Sequence, residues 1–234
     1  IQVPQGIDIS GSEPGLRIDK DITLDLAGQT ITAANGNSND KGIGSLQVKN
    51  GATLTLVDTI GNGKIASNSN YGTDHTGGII NVGTDSSFIM ESGRIETVRE
   101  EASNNGQFGV VLGKNASVTI NGGTIESGWY AISGNGSKED GLPKYGDTTI
   151  TINGGELIST ADYAIYHPQV GTLQINGGTI RGASGAISMN DGVLEITDGT
   201  IESEAKVVPS GEPAFSDGTS GQGQAAVNVR AKYG

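Results

Sequence analysis

The stretch Val118-Thr-Ile-Asn-Gly-Gly-Thr-Ile125 decides the fold, because close or degenerate copies of it recur along the chain. The copies begin at Ile22, Leu54, Phe88, Val118, Ile150, Leu173 and Leu194. Their starting points lie 21 to 34 residues apart. Repetition at such a period is typical of solenoid proteins, in which each unit buries its apolar side chains only by stacking on its neighbours.

Each unit contains three short strand signals, and no stretch shows a convincing helical period. In the first strand apolar residues alternate strictly, as Val118 and Ile120 do, so one face of the strand points inward. The Thr-Ile half of the motif is the second strand, and a small residue before Ile or Val, as in Ala131-Ile132, marks the third. If each strand pairs with its equivalent one unit away, the chain is all-β: a single-stranded right-handed parallel β-helix of about seven rungs, with three short strands per rung.

Glycine and asparagine recur at fixed corner positions of these units. One equivalent position is occupied by Gly93, Gly123, Gly155, Gly178 and Gly199. A single left-handed residue per rung requires glycine there. The position two places earlier is occupied by Glu91, Asn121, Asn153, Asn176 and Thr197. Stacked asparagines can bond to one another, so we expect a hydrogen-bonded side-chain ladder at this corner.

We interpret residues 1–234 as one β-helix domain. Residues 1–15 are expected to cap its N-terminal end, and residues 203–224 are expected to form a long loop insertion before a last strand at 225–229. Because the chain starts at Ile1 without Met or a signal peptide and stops at Gly234 in mid-coil, we expect it to be a fragment of a larger surface protein. Neighbouring domains of the same chain are then among its contacts.

Charge and composition narrow the classes of partner. The net charge is −12 and the pI is about 4.5, which disfavours nucleic acid and anionic membrane surfaces. No apolar run approaches the roughly 20 residues that span a bilayer, so no membrane insertion is expected. Cysteine is absent, which excludes disulfides and Cys-ligated metals. We expect no cofactor; adventitious Ca²⁺ is the one ion that the acidity suggests.

The repeat units resemble a known group of proteins. The units VTINGGTIES (118–127), ITINGGELIS (150–159) and LQINGGTIRG (173–182) resemble the coils of pectin-lyase-like right-handed β-helices. The opening ITLDLAGQTIT (22–32) is similar to the first rungs of repeat-bearing surface proteins of Gram-positive bacteria. The resemblance covers about residues 16–230 and implies an extracellular location, either attached to the cell surface or secreted. It implies no particular activity, because the same coil carries lyases, hydrolases, adhesins and stalks.

The sequence offers little that is typical of polysaccharide cleavage, which needs clustered carboxylates beside Arg or Lys, or an acid–base pair. The hydrolase motifs Asn-Thr-Asp, Asp-Asp and Gly-His-Gly have no counterpart, and neither outward column of the first two strands offers two close carboxylates beside a base. We therefore predict no catalytic residue and no metal ligand. The predicted function is a non-catalytic extracellular surface module, an adhesin or stalk that binds a glycan or a host protein through stacked loops. The alternative is a carbohydrate-active enzyme, a polysaccharide lyase or glycoside hydrolase, or its carbohydrate-binding module.

Two sets of residues are candidates for ligand binding. Segments 32–41, 66–77 and 97–107 leave the same corner of three consecutive units, so their polar residues are expected to line one edge. Phe108, Tyr130 and Tyr163 take equivalent positions in three units and are expected to stack, either as a structural ladder or as a platform for sugar rings. The candidates are Tyr71, Asp74, His75, Arg99, Glu100, Glu101, Trp129, Tyr130, Tyr163 and Tyr166, with Trp129, the one tryptophan, as the foremost candidate for stacking on a ligand.

Overall fold

A computed structural model describes residues 1–12, 15–35, 45–70, 77–97, 108–134, 138–139, 142–143, 146–204 and 225–229. Over these ranges the secondary structure consists of strands and turns, without helix. The strands form two large sheets, in which every pairing is parallel, and one small antiparallel pair. The predicted all-β parallel architecture, with equivalent strands stacked in order, is thereby confirmed.

The strands are short and follow one another along the chain with little regular structure between them. In chain order they are β1 (Ile7–Asp8), β2 (Leu16–Ile18), β3 (Ile22–Asp25), β4 (Thr30–Asn35), β5 (Leu46–Val48), β6 (Thr53–Val57), β7 (Lys64–Asn70), β8 (Gly78–Val82), β9 (Ser87–Met90), β10 (Arg94–Glu96), β11 (Phe108–Leu112), β12 (Ser117–Ile120), β13 (Thr124–Ser127), β14 (Ile132–Ser133), β15 (Lys138–Glu139), β16 (Leu142–Pro143), β17 (Thr148–Ile152), β18 (Glu156–Ser159), β19 (Tyr163–His167), β20 (Gly171–Gly182), β21 (Gly185–Met189), β22 (Val193–Ser203) and β23 (Val227–Val229).

The larger sheet contains two ladders of paired strands, and each ladder has an inward apolar column. The first column consists of Ile22, Leu54, Phe88, Val118, Ile150, Leu173 and Leu194, each paired with the next. The second consists of Ile31, Ile65, Ile95, Ile125, Leu157, Ile180 and Ile201. From Leu54 to Leu173 in the first column, and from Ile65 to Ile180 in the second, these side chains are fully buried. The predicted register of the repeats is correct.

The smaller sheet stacks β2, β5, β8, β11, β14, β19, β21 and β23 in that order. In β11 and the two strands that follow it, the chain enters the sheet at a tight inner corner occupied by a small residue. A Cβ added to Gly109 would lie 2.6 Å from the Cγ2 atom of Ile125 and 2.7 Å from the carbonyl oxygen of Ala131. Alanine takes the equivalent place in the following rungs, fully buried at Ala131 and Ala164. In these three rungs the small residue before Ile or Val is thus a packing requirement, whereas β8 has the buried Ile79 at the equivalent place.

The Asn-Gly-Gly corner has the geometry that the sequence predicts. All five predicted corner glycines have positive φ, between 81° and 118°. The side-chain ladder is also present: Asn176 donates to Asn153 across 2.9 Å, Asn153 to Asn121 across 2.8 Å, and Asn121 to a carboxylate oxygen of Glu91 across 2.9 Å. The hydroxyl of Thr197 donates to Asn176 across 3.0 Å.

Several features depart from the sequence-based expectation or add to it. β20 and β22 run through the corner as single strands of 12 and 11 residues, with register shifts at the corner, where two separate strands were expected. β15 and β16 form a small antiparallel pair in the connection between β14 and β17.

At the N-terminal end, β1 pairs with β4 and the amide of Val3 donates to the carbonyl of Asp25, so the first residues lie along the edges of β3 and β4. The last strand, β23, pairs with β21 as predicted, whereas 205–224 lies outside the described residues.

Candidate ligand-binding surface

One outer corner of the coil lies between the second and third strands of each rung, where the three long segments leave and rejoin it. β4, β7 and β10, which precede the three long segments, pair with one another, and so do β5, β8 and β11, which follow them. The three segments therefore leave the coil at the same corner, but not at the predicted residues. β4 and β7 extend to Asn35 and Asn70, so 32–35 and 66–70 are strand and not loop, whereas β10 already ends at Glu96. The candidate residues of these segments, Tyr71, Asp74, His75, Arg99, Glu100 and Glu101, lie outside the described residues.

In the next two rungs the same corner is short. Gly128–Ala131 is the whole connection between β13 and β14, and Thr160–Asp162 is the connection between β18 and β19. Trp129 and Asp162 therefore lie on the line along the stack where, in the preceding rungs, the three long segments leave and rejoin the coil. We call this line the outer corner; its described part is 128–131 and 160–162, with the aromatic rings beside them.

Three aromatic rings stack on one another beside the outer corner. The ring of Tyr130 lies between those of Phe108, at a centroid distance of 5.4 Å, and Tyr166, at 5.1 Å, with an angle of 16° between the ring planes in both pairs. Both faces of Tyr130 are thus occupied by protein, as in a structural ladder.

The predicted aromatic ladder is present, but one of its three rings comes from a different residue than expected. The pairing of β11, β14 and β19 places Phe108, Tyr130 and Tyr163 at equivalent positions, as the sequence indicates. The ring from β19 that stacks on Tyr130 is nevertheless that of Tyr166. Tyr163 is buried, and its hydroxyl accepts a hydrogen bond from Asn228 of β23 across 3.0 Å. It therefore joins β19 to the last strand.

Trp129 is partly exposed and its indole is held in a fixed orientation. The indole Nε1 donates to Oδ2 of Asp162 across 2.8 Å. The ring meets Phe108 edge-to-face at 6.0 Å and 63° and lies tilted against Tyr130 at 5.5 Å. On the main chain, the Trp129 amide donates to the hydroxyl of Ser127 and its carbonyl accepts the hydroxyl of Ser159. These contacts hold a partly exposed indole in place.

Asp162 organises the corner from the following rung. Its Oδ1 accepts the amide of Tyr163 across 2.9 Å, while its own amide donates to the hydroxyl of Ser159. Burial and the Asp162 carboxylate together raise the pKa of Tyr130 far above its ordinary value. Folding thus makes the phenol a weaker acid, so it stays protonated well above physiological pH.

The structure contains a second polar surface, which the sequence analysis did not predict. On the outward face of β7, β10 and β13, the Lys64 ammonium lies 3.3 Å from a carboxylate oxygen of Glu96, Arg94 Nε lies 3.4 Å from the same oxygen, and the Arg94 guanidinium also pairs with Glu126. The four side chains are about a third exposed. Lys64, Arg94 and Glu96 border a shallow groove of about 570 Å³ whose other wall includes Asp58 and residues 61–63. We call Lys64, Arg94, Glu96 and Glu126 the charged patch.

The charged patch corrects one expectation. The outward columns were expected to lack two close carboxylates beside a base, yet Glu96 and Glu126 are paired neighbours and Arg94 contacts both. The sequence did hold a signal: the column containing Glu96 is flanked, two residues earlier, by a second outward column that holds Lys64 and Arg94. Only reading both columns together brings the cations and carboxylates into contact.

The described ranges contain neither a metal-binding cluster nor a membrane-spanning helix. No three His, Cys, Asp or Glu side chains come together as a metal site there, and no helix there is long and apolar enough to cross a membrane. In comparisons with known proteins, the chain matches no family model, no curated protein and no solved structure.

Proposed function

We propose that this chain is a non-catalytic module of an extracellular surface protein, an adhesin that binds a neutral glycan along the outer corner. The observation that carries the proposal is the placement of Trp129: its indole is partly exposed, held by Asp162, and located at the corner where the three long segments leave the coil in the preceding rungs. Attachment to the cell surface or secretion, and contact with neighbouring domains of a longer chain, belong to the same proposal.

The chemistry of the corner supports a sugar ligand. A flat aromatic side chain offers a large apolar face to the C–H side of a sugar ring, and adjacent polar groups supply hydrogen bonds to its hydroxyls. Because Asp162 and Phe108 already fix the indole, little conformational entropy is lost on binding. The net charge of −12 favours a neutral glycan over an acidic one, since like charges repel.

A glycan array probed with the purified protein, followed by titration of the intrinsic fluorescence of Trp129, tests the proposal. We expect one class of neutral glycan to bind, Trp129→Ala to weaken binding more than about tenfold, and Trp129→Phe to weaken it less. Ile60→Ala is the matched control, because Ile60 is a 72% exposed apolar side chain remote from the corner along the chain. If no glycan binds, or if wild type and Trp129→Ala bind equally well, the proposal is contradicted. Binding to a host protein and not to glycans would show that the partner is a protein.

The charged patch favours a second candidate, a carbohydrate-active enzyme. Paired positions on neighbouring strands are about 4.8 Å apart, and the two carboxyl groups of retaining glycosidases are about 5–5.5 Å apart. Glu96 and Glu126 occupy such paired positions, and Glu96 also lines the shallow groove. Release of reducing sugars or unsaturated products from a panel of polysaccharides, abolished by Glu96→Gln and by Glu126→Gln but not by Trp129→Phe, would establish this activity in place of the non-catalytic one.

A further inference from the structure

The inward column of the third strands contains one ionisable residue in its C-terminal half. In register the column is Leu112, Gly134, His167, Met189 and Val229. The side chain of His167, one of two histidines in the chain, has no exposed surface. An imidazole thus takes the place that a leucine or a methionine takes in other rungs.

The hydrogen bonds of His167 determine its tautomer. Nδ1 lies 3.1 Å from the carbonyl oxygen of Asp191. A carbonyl can only accept, so Nδ1 carries the proton and Nε2 carries the lone pair. Nε2 is buried without a hydrogen-bond partner, and the same is true of two amide oxygens nearby in the chain, Oε1 of Gln169 and Oδ1 of Asn190.

The space around the ring is closed on two sides. In the preceding rung Gly134 leaves a gap, and the amide of Gln169 fills it: a Cβ added to Gly134 would lie 2.0 Å from Gln169 Oε1. That amide is itself held by a hydrogen bond to the hydroxyl of Thr148 across 2.9 Å. On the side of the following turn, a Cβ added to Gly192 would lie 3.1 Å from Cε1 of His167. The ring therefore cannot reorient without movement of the chain around it.

Few charges oppose or assist protonation of the ring. On β14 and β21 the residues in register with His167 are Gly134 and Met189, which do not ionise. In the turn after β21, Asp191 is the charged group that acts on it, through its carbonyl and its carboxylate. Burial outweighs both of these and the hydrogen bond to the backbone of His167 itself, and it lowers the pKa of His167 below its ordinary value of 6.5. The folded state therefore holds the neutral imidazole where an exposed histidine would begin to ionise.

We propose that His167 is an acid-sensitive lock on the last rungs of the stack, those of β21, β22 and β23. At neutral pH the uncharged ring fills the core column between β14 and β21. As the pH falls, a proton from solvent binds Nε2, and the imidazolium cannot stay in an apolar column without hydration. The ring leaves the column, so β21 loses its packing against β19, and β23, which pairs with β21, separates with it.

The sign of the effect follows from proton linkage. Because folding lowers the pKa, the unfolded or opened form binds more protons below about pH 6.5, and stability falls as the pH falls through that value. For each unit by which the pKa is lowered, the opened population in acid rises about tenfold. The effect levels off below the folded-state pKa.

Amide hydrogen exchange of the whole chain at about pH 7 and about pH 5, corrected for intrinsic rates, tests the proposal together with NMR titration of both histidines. We expect opening of β21 and β23 to increase in acid by several-fold to tenfold while β8 is unchanged. His167→Met, which supplies the side chain found at Met189, should abolish the acid effect, whereas His75→Ala should retain it.

Two results would overturn the proposal. One is a His167 resonance that titrates at or above the ordinary pKa; the other is an acid response of β21 that persists in His167→Met. If His167→Met does not fold, the wild-type titration and the contrast between β21 and β8 decide the matter without a variant. The glycan array has no part in this test, so failure of the proposed function would leave the lock unaffected.

Discussion

The side-chain amide of Asn153 donates to Oδ1 of Asn121 across 2.8 Å and accepts the amide of Asn176 across 2.9 Å. Each asparagine is thus a donor toward one rung and an acceptor toward the other, so the ladder has a direction along the stack. Glu91 at one end needs only to accept, and the hydroxyl of Thr197 at the other end donates. Glu91 and Thr197, the two ladder residues that are not asparagine, are at the ends, where a side chain needs only to accept or only to donate a hydrogen bond.

The direction of the ladder makes Asn153→Asp destabilising. The new carboxylate still accepts from Asn176, but it faces the Oδ1 acceptor of Asn121 without a donor. Because both side chains are exposed, we expect a loss of about 0.5–1.5 kcal/mol of unfolding free energy, measured by urea denaturation. Asn62→Asp is the control, since Asn62 also precedes a glycine but is outside the ladder; equal midpoints for the two variants and wild type would show that the ladder contributes nothing.

Gly155→Ala tests the corner backbone. Gly155 has φ of +81°, and an added Cβ would lie 2.7 Å from the carbonyl oxygen of Gly123 in the preceding rung. We expect destabilisation of about 1–3 kcal/mol from backbone strain together with the displaced rung. Gly11→Ala is the control, because nothing lies within 4 Å of a Cβ at that position. A Gly155→Ala protein as stable as Gly11→Ala would show that the corner relaxes freely.

The inward columns give a third prediction. Leu173 is fully buried between Ile150 and Leu194, and truncation to alanine leaves a cavity that the paired strands cannot collapse to fill. We expect Leu173→Ala to lower the unfolding free energy by about 2–5 kcal/mol. Ile60→Ala, at a side chain that is 72% exposed, should change it by no more than about 0.5 kcal/mol. Thermal denaturation followed by circular dichroism compares the two, and similar midpoints would contradict the assignment of Leu173 to the core.

The columns could be predicted from the sequence because they depend on two simple periods. Alternation within a strand determines which face is inward, and the recurrence of the motif determines which residues are paired, so Val118 and Ile150 are placed together before any coordinates are known. The corner ladder follows for the same reason. Insertions change the length of a unit without changing this register, since they leave the coil at its corners.

The candidate surfaces could not be predicted in the same way, because their contacts join side chains from different columns. Contact between Arg94 and Glu126 joins two outward columns and two rungs, so neither column alone indicates it. The exchange of Tyr166 for Tyr163 in the ring stack has a similar origin. Both tyrosines belong to β19, and pairing of backbone positions does not determine which of two side chains reaches Tyr130.

Tyr130 gives a prediction in alkaline solution. Folding raises its pKa, so above about pH 10 the unfolded chain releases a proton that the folded chain keeps. The folded state then binds more protons, and its stability falls as the pH rises. We expect the melting temperature of wild type to drop more between about pH 9 and pH 11 than that of Tyr130→Phe, which cannot ionise there. The comparison uses the slopes, because the variant also loses the phenol's hydrogen bond; parallel slopes would contradict the buried, protonated phenol.

The charged patch predicts that the stability lost in Arg94→Gln depends on salt concentration. In Arg94→Gln, the carboxylates of Glu96 and Glu126 stay on paired positions of neighbouring strands without the guanidinium that contacts both, and like charges at such positions repel. Since all of these side chains are about a third exposed, we expect a loss of no more than about 1 kcal/mol at low salt. At about 0.5 M salt the loss should shrink, because screening weakens the repulsion.

The double variant Arg94→Gln/Glu126→Gln is the control. It should recover most of the stability at low salt, because it lacks one of the two facing charges. Urea denaturation of the three proteins at both salt concentrations measures this. A loss that is the same in high salt, or that Glu126→Gln does not repair, would mean that Arg94 acts through packing of its aliphatic stem and not through its charge.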